Sequence, residues 1–223
     1  MPANCLLYYI TDRSAFPGDE SARRKRLLEK ISEAARADID FIQLREKDLS
    51  ARELEGLARA AIRILSQFRN ERPTLRAKLL INSRTDAALA GGADGVHLRS
   101  EDVPPQAVRE VWRTSGIDAS QRRRQEPVIG VSCHTPEEVK RAEIEGATFA
   151  VFAPVFEKTG ASPAGLDRLR SACAANIPVL ALGGVTVENA QSCLNAGAAG
   201  VAGIRLFQEH AMAEIVERLR LNG

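Results

Sequence analysis

The sequence has little of several features that mark common classes of protein. Its four cysteines (Cys5, Cys133, Cys173 and Cys193) are widely separated and form no CxxC pair. This spacing indicates neither a zinc site nor a disulfide framework. Lys plus Arg less Asp plus Glu is 31 − 29 = +2, and aromatic residues make up only 4% of the chain. Because nucleic-acid binding relies on basic surface and stacking platforms, we expect no nucleic-acid partner.

Long apolar runs are also missing. No run approaches the roughly 20 residues that a membrane-spanning helix needs. The first four residues lack the basic start of a signal peptide. We therefore expect a cytoplasmic protein that does not bind membranes and that acts on small molecules. A homo-oligomer is compatible with these features.

The sequence does contain a regular alternation of apolar runs with amphipathic segments. Eight predicted strands alternate with eight helical segments, and the strands are Leu6–Ile10, the run from Phe41, Lys78–Ile81, Gly95–Arg99, Val128–Val131, Phe149–Phe156, Val179–Leu182 and Gly200–Ile204. This count over 223 residues predicts a single-domain (β/α)8 TIM barrel covering the whole chain. A doubly wound open sheet is the alternative, but no GxGxxG follows the first strand.

Two further segments yield specific predictions. Ser50 and Glu53 form a capping box that starts a helix over Ala51–Phe68. The last helix is predicted over Glu209–Leu219. Residues 116–126 are polar and irregular, which predicts a mobile surface excursion.

The stretch Phe41–Lys47 is the strongest local signal for a ligand site. Side chains alternate along a strand, so Gln43, Arg45 and Lys47 are expected on one face and Leu44 and Glu46 on the other. A guanidinium fork beside a compact ammonium suits a phosphate or diphosphate. The alternative is that both cations pair with acids at the barrel rim.

Polar residues gather where the predicted strands end, and the active site of a TIM barrel lies at those carboxyl ends. Besides Gln43, Arg45 and Lys47, the strand ends carry Asn82, His97, Asp102, Ser132, His134, Lys158, Gly183, Gly184, Ile204 and Arg205. The glycine pair Gly183-Gly184 and the Gly203-Ile204-Arg205 segment predict a phosphate site, since glycine lets backbone N–H groups approach an anion closely. A simple tight turn is the alternative for the glycines.

Three of these residues allow more than one interpretation. His97 is either a core histidine that bonds a backbone carbonyl or a site residue. His134 lies beyond its strand, which favours a role in the site. Asp102 is either a helix cap or a magnesium ligand, because hard oxygen donors suit Mg²⁺.

Together these residues resemble the thiamine phosphate synthase family, which includes the related thiazole tautomerases. The likeness runs over nearly the whole chain, through Tyr9-Ile10-Thr11-Asp12, Gln43-Leu44-Arg45-Glu46-Lys47, Ile81-Asn82, Gly95-Val96-His97-Leu98 with Glu101-Asp102, Gly130-Val131-Ser132-Cys133-His134-Thr135, Pro154-Val155-Phe156, and Leu182-Gly183-Gly184-Val185 with Asn189. The combination of QxREK with GVHL is specific, whereas GGV occurs in many phosphate-binding barrels.

The resemblance implies a transferase of thiamine biosynthesis. Synthases of the family join hydroxymethylpyrimidine diphosphate to a thiazole phosphate and release diphosphate with the help of Mg²⁺. By resemblance, Gln43, Arg45, Lys47 and Asn82 would hold the pyrimidine and its diphosphate, and Asp102 would bind the metal. Ser132 would contact the diphosphate, while Gly183-Gly184 and Ile204-Arg205 would hold the thiazole phosphate.

The chain departs from the family pattern at three places. Ser83 stands where the family has an acidic metal ligand, and serine is a poor ligand for Mg²⁺. Glu157-Lys158 replaces the usual Pro-Thr, and Arg205 replaces a serine. These departures leave two alternatives to the synthase: a metal-independent thiazole tautomerase-like isomerase with His134 as acid and base, and a non-catalytic sensor of a phosphorylated ligand.

Overall fold

The structure is a computed structural model that describes residues 5–115, 126–157 and 162–221. Its centre is a closed barrel of eight parallel strands in the order β1 to β8. The strands are β1 Leu6–Ile10, β2 Phe41–Leu44, β3 Lys78–Asn82, β4 Gly95–Leu98, β5 Val128–Cys133, β6 Phe149–Phe152, β7 Val179–Ala181 and β8 Gly200–Gly203. The helices are α1 Glu20–Arg36, α2 Ala51–Glu71, α3 Thr85–Gly91, α4 Pro105–Thr114, α5 Pro136–Ile144, α6 Gly165–Ala172, α7 Val187–Asn195, α8 Arg205–Gln208 and α9 Met212–Leu221.

Closure of the sheet decides between the two predicted folds. Strand β1 pairs in parallel with both β2 and β8, through Tyr8 opposite Phe41 and Leu7 opposite Val201. An open, doubly wound sheet would leave two unpaired edges. The (β/α)8 prediction is therefore confirmed.

Most predicted elements occur, with shifted ends. Strand β6 ends at Phe152, four residues earlier than predicted, just before the Ala153–Pro154 peptide. Proline has no N–H for the ladder, so it is rarely found inside a barrel strand. The capping box of Ser50 and Glu53 is present, and α2 continues beyond Phe68 to Glu71.

The last predicted helix was wrong in one respect. Instead of one helix from Glu209, the chain forms the four-residue α8 and then α9. A short 3-10 helix over Arg13–Ala15 was also not predicted. Of the excursion predicted at 116–126, residues 116–125 lie outside the described residues.

The core has two layers that follow the alternation of strand side chains. Tyr8 points into the barrel, where its ring packs edge-on against Phe41 and Phe149 with centroids 5.8 and 5.4 Å away. Its neighbour Tyr9 points outward and packs against Phe207 under the helices. Phe41 and Phe149 begin their strands, so these rings fill the amino-terminal end of the barrel and leave the carboxyl end for a ligand. Within the described residues, no helix has the length and apolar character that a membrane crossing requires.

Candidate active site

The carboxyl ends of the strands surround one cavity of about 1340 Å³. Eleven of the thirteen predicted site residues line it: Gln43, Arg45, Lys47, Asn82, His97, Ser132, His134, Gly183, Gly184, Ile204 and Arg205. Asp102 does not line this cavity but sits behind it. Lys158 lies outside the described residues. The parallel barrel explains the convergence, because all strands end at the same rim.

The end of β2 places an amide and two cations in the cavity. Gln43 is buried and donates through Nε2 to Oδ1 of Asn82 at 2.8 Å, which joins β2 to β3. Arg45 is half-buried, and within the described residues no carboxylate lies within ion-pair distance of its guanidinium. The rim ion-pair alternative is therefore not supported for Arg45. Strand β2 ends at Leu44, so loop geometry places the residues beyond it.

An ion-pair cluster around the buried side chains of Arg13 and Glu46 fixes this loop from behind. The Arg13 guanidinium donates to both carboxylate oxygens of Asp48 at 2.7 Å and to Oε2 of Glu46 at 3.0 Å. Glu46 also accepts from the Thr11 hydroxyl at 2.6 Å, and that hydroxyl accepts from the backbone N–H of Arg45 at 3.0 Å. Each buried charge is thus paired and hydrogen-bonded, as burial requires. The cluster ties β1 to the loop that carries Arg45 and Lys47.

Behind the ends of β3 and β4, Asp102 is held by residues of the same protein. Oδ2 of Asp102 accepts from the Ser83 hydroxyl at 2.7 Å and from the backbone N–H of Arg99 at 2.8 Å. The Arg99 guanidinium donates to Oδ1 at 3.2 and 3.0 Å. Burial pushes the pKa of Asp102 upward, but these donors outweigh it and hold the pKa below its usual value. Asp102 is therefore a carboxylate at neutral pH.

Ser83 has an unusual backbone conformation, with φ at +54°. Such a left-handed conformation is uncommon outside glycine, asparagine and aspartate, and it concentrates at functional sites. It turns the Ser83 hydroxyl towards Asp102. At the position where the resemblance implies an acidic metal ligand, this chain therefore has a hydroxyl that donates to Asp102.

The donor set fits a magnesium ion only if the ion arrives with a substrate. No cluster of three or more His, Cys, Asp or Glu side chains that could hold a metal occurs in the described ranges. Mg²⁺ is often held by one or two carboxylates together with phosphate oxygens of the substrate. Asp102 can supply one such carboxylate, once an oxygen is released by Arg99. A resident ion held by the protein alone is not supported by these residues.

His97 lies at the bottom of the cavity and is buried. Its Nδ1 is 3.1 Å from the Tyr8 hydroxyl, and its Nε2 is 2.8 Å from Oγ of Ser132. Burial, and then the nearby Arg45 charge, lower the pKa of His97 to about 3. The partners are side chains, so one of the two interpretations of His97, a core histidine bonded to a backbone carbonyl, is not observed.

His134 lies at the exposed end of β5. Its Nδ1 is 2.7 Å from the carbonyl oxygen of Ala153, which can only accept, so Nδ1 carries a hydrogen. Its backbone N–H donates to Glu138 at 2.6 Å. In the neutral ring, Nε2 is then the basic nitrogen.

The predicted phosphate site is built from two glycines and a short helix. Gly183 and Gly184 have φ of +92° and +66°, and a Cβ on Gly183 would lie 2.7 Å from the Cα of Pro154. These positions therefore need glycine for both conformation and space. Asn189 donates to the Gly184 carbonyl at 2.9 Å, which holds the turn. The short helix α8 starts after Ile204, as in the phosphate sites of many TIM barrels.

Several cavity residues were not predicted. Arg84 and Arg99 line the cavity beside Ser83. Arg84 follows the end of β3 by two positions and Arg99 follows β4 directly, so position alone signalled both. Nothing in the sequence pairs Tyr8 with His97, or Arg13 with Glu46, because these contacts join residues 89 and 33 positions apart.

Comparison with known proteins identifies the family of this chain. The family profile described as "Thiamine monophosphate synthase" matches residues 7–207. The chain is 36% identical over 206 residues to the thiamine-phosphate synthase of Chlorobium luteolum, covering 90% of this chain and 84% of that protein. It is 34% identical over 202 residues to the thiamine-phosphate synthase of Roseiflexus sp. (strain RS-1), covering 88% and 75%.

A solved structure extends the agreement to the fold. The thiamine phosphate pyrophosphorylase of Pyrococcus furiosus superposes with a TM-score of 0.77 at 29% identity, covering 99% of this chain and 96% of that one. The family predicted from the QxREK and GVHL motifs is thus confirmed. The chain belongs to the thiamine monophosphate synthase family.

Proposed function

We propose that this protein is a thiamine phosphate synthase that couples hydroxymethylpyrimidine diphosphate to a thiazole phosphate and releases diphosphate. The predicted class, a transferase of thiamine biosynthesis, agrees with the family and with the names of the relatives. One observation carries the proposal for this chain: a single cavity has two cationic, phosphate-suited ends. Coupling two phosphorylated molecules needs both ends in one space.

The first end lies at β2, β3 and β4. Arg45, Arg84 and Arg99 line the cavity there with Lys47 and the amide of Asn82. Guanidinium groups bind diphosphate oxygens in pairs of parallel hydrogen bonds. This end suits the pyrimidine diphosphate, whose leaving group accumulates charge as its bond to carbon breaks.

The second end lies at β7 and β8, across the barrel from β3. The Gly183-Gly184 turn exposes backbone next to the cavity, and Arg205 adds a charged side chain at the start of α8. Both features suit a monophosphate. At about 1340 Å³ the cavity exceeds the roughly 300–1,000 Å³ of a typical single-ligand pocket, which leaves room for two substrates.

Catalysis in this site consists mainly of positioning and charge stabilisation. The strand ends hold two substrates in one cavity, so that a bimolecular encounter in solution is replaced by a reaction between two bound molecules. Arg45 stabilises the negative charge on the departing diphosphate, and Arg84 and Arg99 do so when they exchange their carboxylate partners, Asp86 and Asp102, for phosphate oxygens. A Mg²⁺ ion bound to the diphosphate, with Asp102 as a ligand once Arg99 releases that carboxylate, would add positive charge to the same leaving group.

The test is a coupling assay with the pyrimidine diphosphate, the thiazole phosphate and Mg²⁺, run on the wild type and on Arg45→Ala and Asp102→Ala. We expect Arg45→Ala to lower kcat/KM by about 10²–10³-fold, the usual cost of removing one group that stabilises transition-state charge. Arg59→Ala is the matched control, because Arg59 is an exposed arginine on α2 that pairs with Glu55. Unchanged coupling by Arg45→Ala would refute the proposed site.

His134 supports a second candidate function, a thiazole tautomerase-like isomerase. Its Nδ1 is fixed by Ala153 and its Nε2 is available to move a proton, and such chemistry needs one phosphate site and no metal. This function would be favoured if the wild type isomerises the thiazole phosphate without a metal, if His134→Ala abolishes that activity, and if the wild type shows no coupling. Tight binding of thiamine phosphate with neither activity would favour the sensor.

A cytoplasmic location and a homo-oligomeric state remain predictions.

A further inference from the structure

Tyr8, His97 and Ser132 form a chain of hydrogen bonds from the barrel interior to the cavity. Tyr8 is fully buried on β1, and its hydroxyl meets Nδ1 of His97 at 3.1 Å. Nε2 of His97 meets Oγ of Ser132 at 2.8 Å, and Ser132 lines the cavity. Only Ser132 and the His97 edge reach the ligand space. Tyr8 does not line the cavity, so it can influence a ligand only through its neighbours.

The partners of the ring decide which nitrogen carries the hydrogen. Burial raises the pKa of Tyr8 and lowers that of His97, so the phenol keeps its hydrogen and the imidazole is neutral. A neutral imidazole has one donor and one acceptor nitrogen. If Nδ1 carried the hydrogen, the Tyr8 hydroxyl hydrogen would have no acceptor among the apolar side chains of the barrel interior, Ile10, Leu80, Phe149, Val151 and Leu180.

A buried donor without an acceptor is costly, so the arrangement with Tyr8 donating to Nδ1 is favoured. The hydrogen of His97 then lies on Nε2 and is donated to Oγ of Ser132. The ring lies close over Gly130, where a Cβ would come within 2.8 Å of Nδ1 of His97, so the absence of a side chain at Gly130 makes space for the ring. The ring is thus held over a glycine with both nitrogens engaged.

This assignment determines what Ser132 offers to a ligand. An Oγ that accepts from His97 keeps its own hydrogen for another acceptor. With the opposite tautomer, the Ser132 hydroxyl would donate its hydrogen to Nε2 of His97. It would then present only lone pairs to the cavity, which would repel an anion. We propose that Tyr8 and His97 are positioning residues that make the Ser132 hydroxyl a hydrogen-bond donor to an anionic oxygen of the bound ligand. The identity of that ligand as a diphosphate rests on the proposed function.

The first test needs no ligand. Nitrogen-15 NMR of the imidazoles distinguishes a pyrrole-like from a pyridine-like nitrogen, and the chain has only three histidines to assign. His97→Gln identifies the His97 signals by their loss. We expect a pyrrole-like Nε2 and a pyridine-like Nδ1 in the wild type. A pyrrole-like Nδ1 on His97 would overturn the proposal.

The second test measures the affinity for inorganic diphosphate by calorimetry. We expect about tenfold weaker binding by Ser132→Ala and a similar loss by Tyr8→Phe. In the Ser132→Ala background, Tyr8→Phe should have no further effect, because Tyr8 acts through that hydroxyl. An equal loss in both backgrounds would overturn the proposal, since it would show a general structural effect.

Tyr9→Phe is the matched control. Tyr9 is also buried, and its hydroxyl donates to Oε1 of Gln208 at 3.0 Å, outside the barrel. The Tyr9→Phe substitution should leave the NMR signals of His97 unchanged and the affinity for diphosphate within about twofold of the wild type. If diphosphate does not bind the wild type while Nε2 of His97 carries the hydrogen, the proposed function fails and the tautomer assignment stands.

Discussion

Arg13 is the residue whose loss we expect to be most informative about how the site is held. Its side chain is only 5% exposed and pairs with Glu46, whose side chain is 1% exposed. Replacing Arg13 by alanine leaves the Glu46 carboxylate buried without its cation. Removing one partner of a buried ion pair typically costs about 3–5 kcal/mol.

The surroundings of Glu46 place the expected loss at the lower end of that range. Glu46 still accepts from the Thr11 hydroxyl and from the backbone N–H of Arg13, which alanine retains. We therefore expect Arg13→Ala to lower the free energy of unfolding by about 3 kcal/mol. For a chain of this size that corresponds to a fall in Tm of roughly 6–12 °C.

Urea unfolding followed by circular dichroism measures this loss, and Arg24→Ala is the matched control. Arg24 shares the partner Glu20 with Arg13, but its pairs with Glu20 and Glu53 are exposed. Exposed pairs are screened by water, so the control should change stability little. The double variant with Glu46→Gln should recover part of the loss, because the amide carries no charge. Equal stabilities of Arg13→Ala and Arg24→Ala would refute the reasoning.

Two other perturbations give distinct outcomes. Gly183→Ala should weaken binding of the thiazole phosphate by at least about tenfold and lower stability, because the new Cβ would meet Pro154. Gly92→Ala is the control: Gly92 also has a positive φ, +73°, but has open space around it, so the substitution should cost only the backbone strain of roughly 1 kcal/mol. Isothermal calorimetry measures the affinity for the thiazole phosphate, and urea unfolding measures the stability. Equal losses in the Gly183→Ala and Gly92→Ala variants would contradict the steric argument. The pKa of His97 is about 3 in the folded chain against an ordinary 6.5, so between these values the unfolded chain binds a proton that the folded chain does not. The contribution of His97 to stability should therefore fall as the pH drops from 6.5 towards 3, by up to about 1.4 kcal/mol per pH unit. Above pH 6.5 this contribution should stay constant. His97→Gln should remove that part of the slope; an unaltered slope would argue against a buried neutral imidazole.

The sequence alone determined the fold class and the approximate positions at which most strands end. Its apolar runs and helical segments repeat eight times, and polar residues follow the strands at a regular position. Since parallel strands of a barrel share one rim, that position was enough to predict that Gln43, Arg45, Asn82, Ser132 and Gly183 would meet. Local chemistry also determined the start of α2, because a capping box involves residues only three positions apart.

Contacts between distant positions were decided only by the tertiary structure. Burial of Glu46 against Arg13, and of His97 between Tyr8 and Ser132, depends on which strands become neighbours and on the direction of each side chain. The same holds for Asp102, which the motif placed in the site and which the fold instead engages with Ser83 and Arg99 behind it. A motif fixes the identity and order of the groups along the chain, whereas their charge states and free donors depend on partners that only folding brings within hydrogen-bond distance.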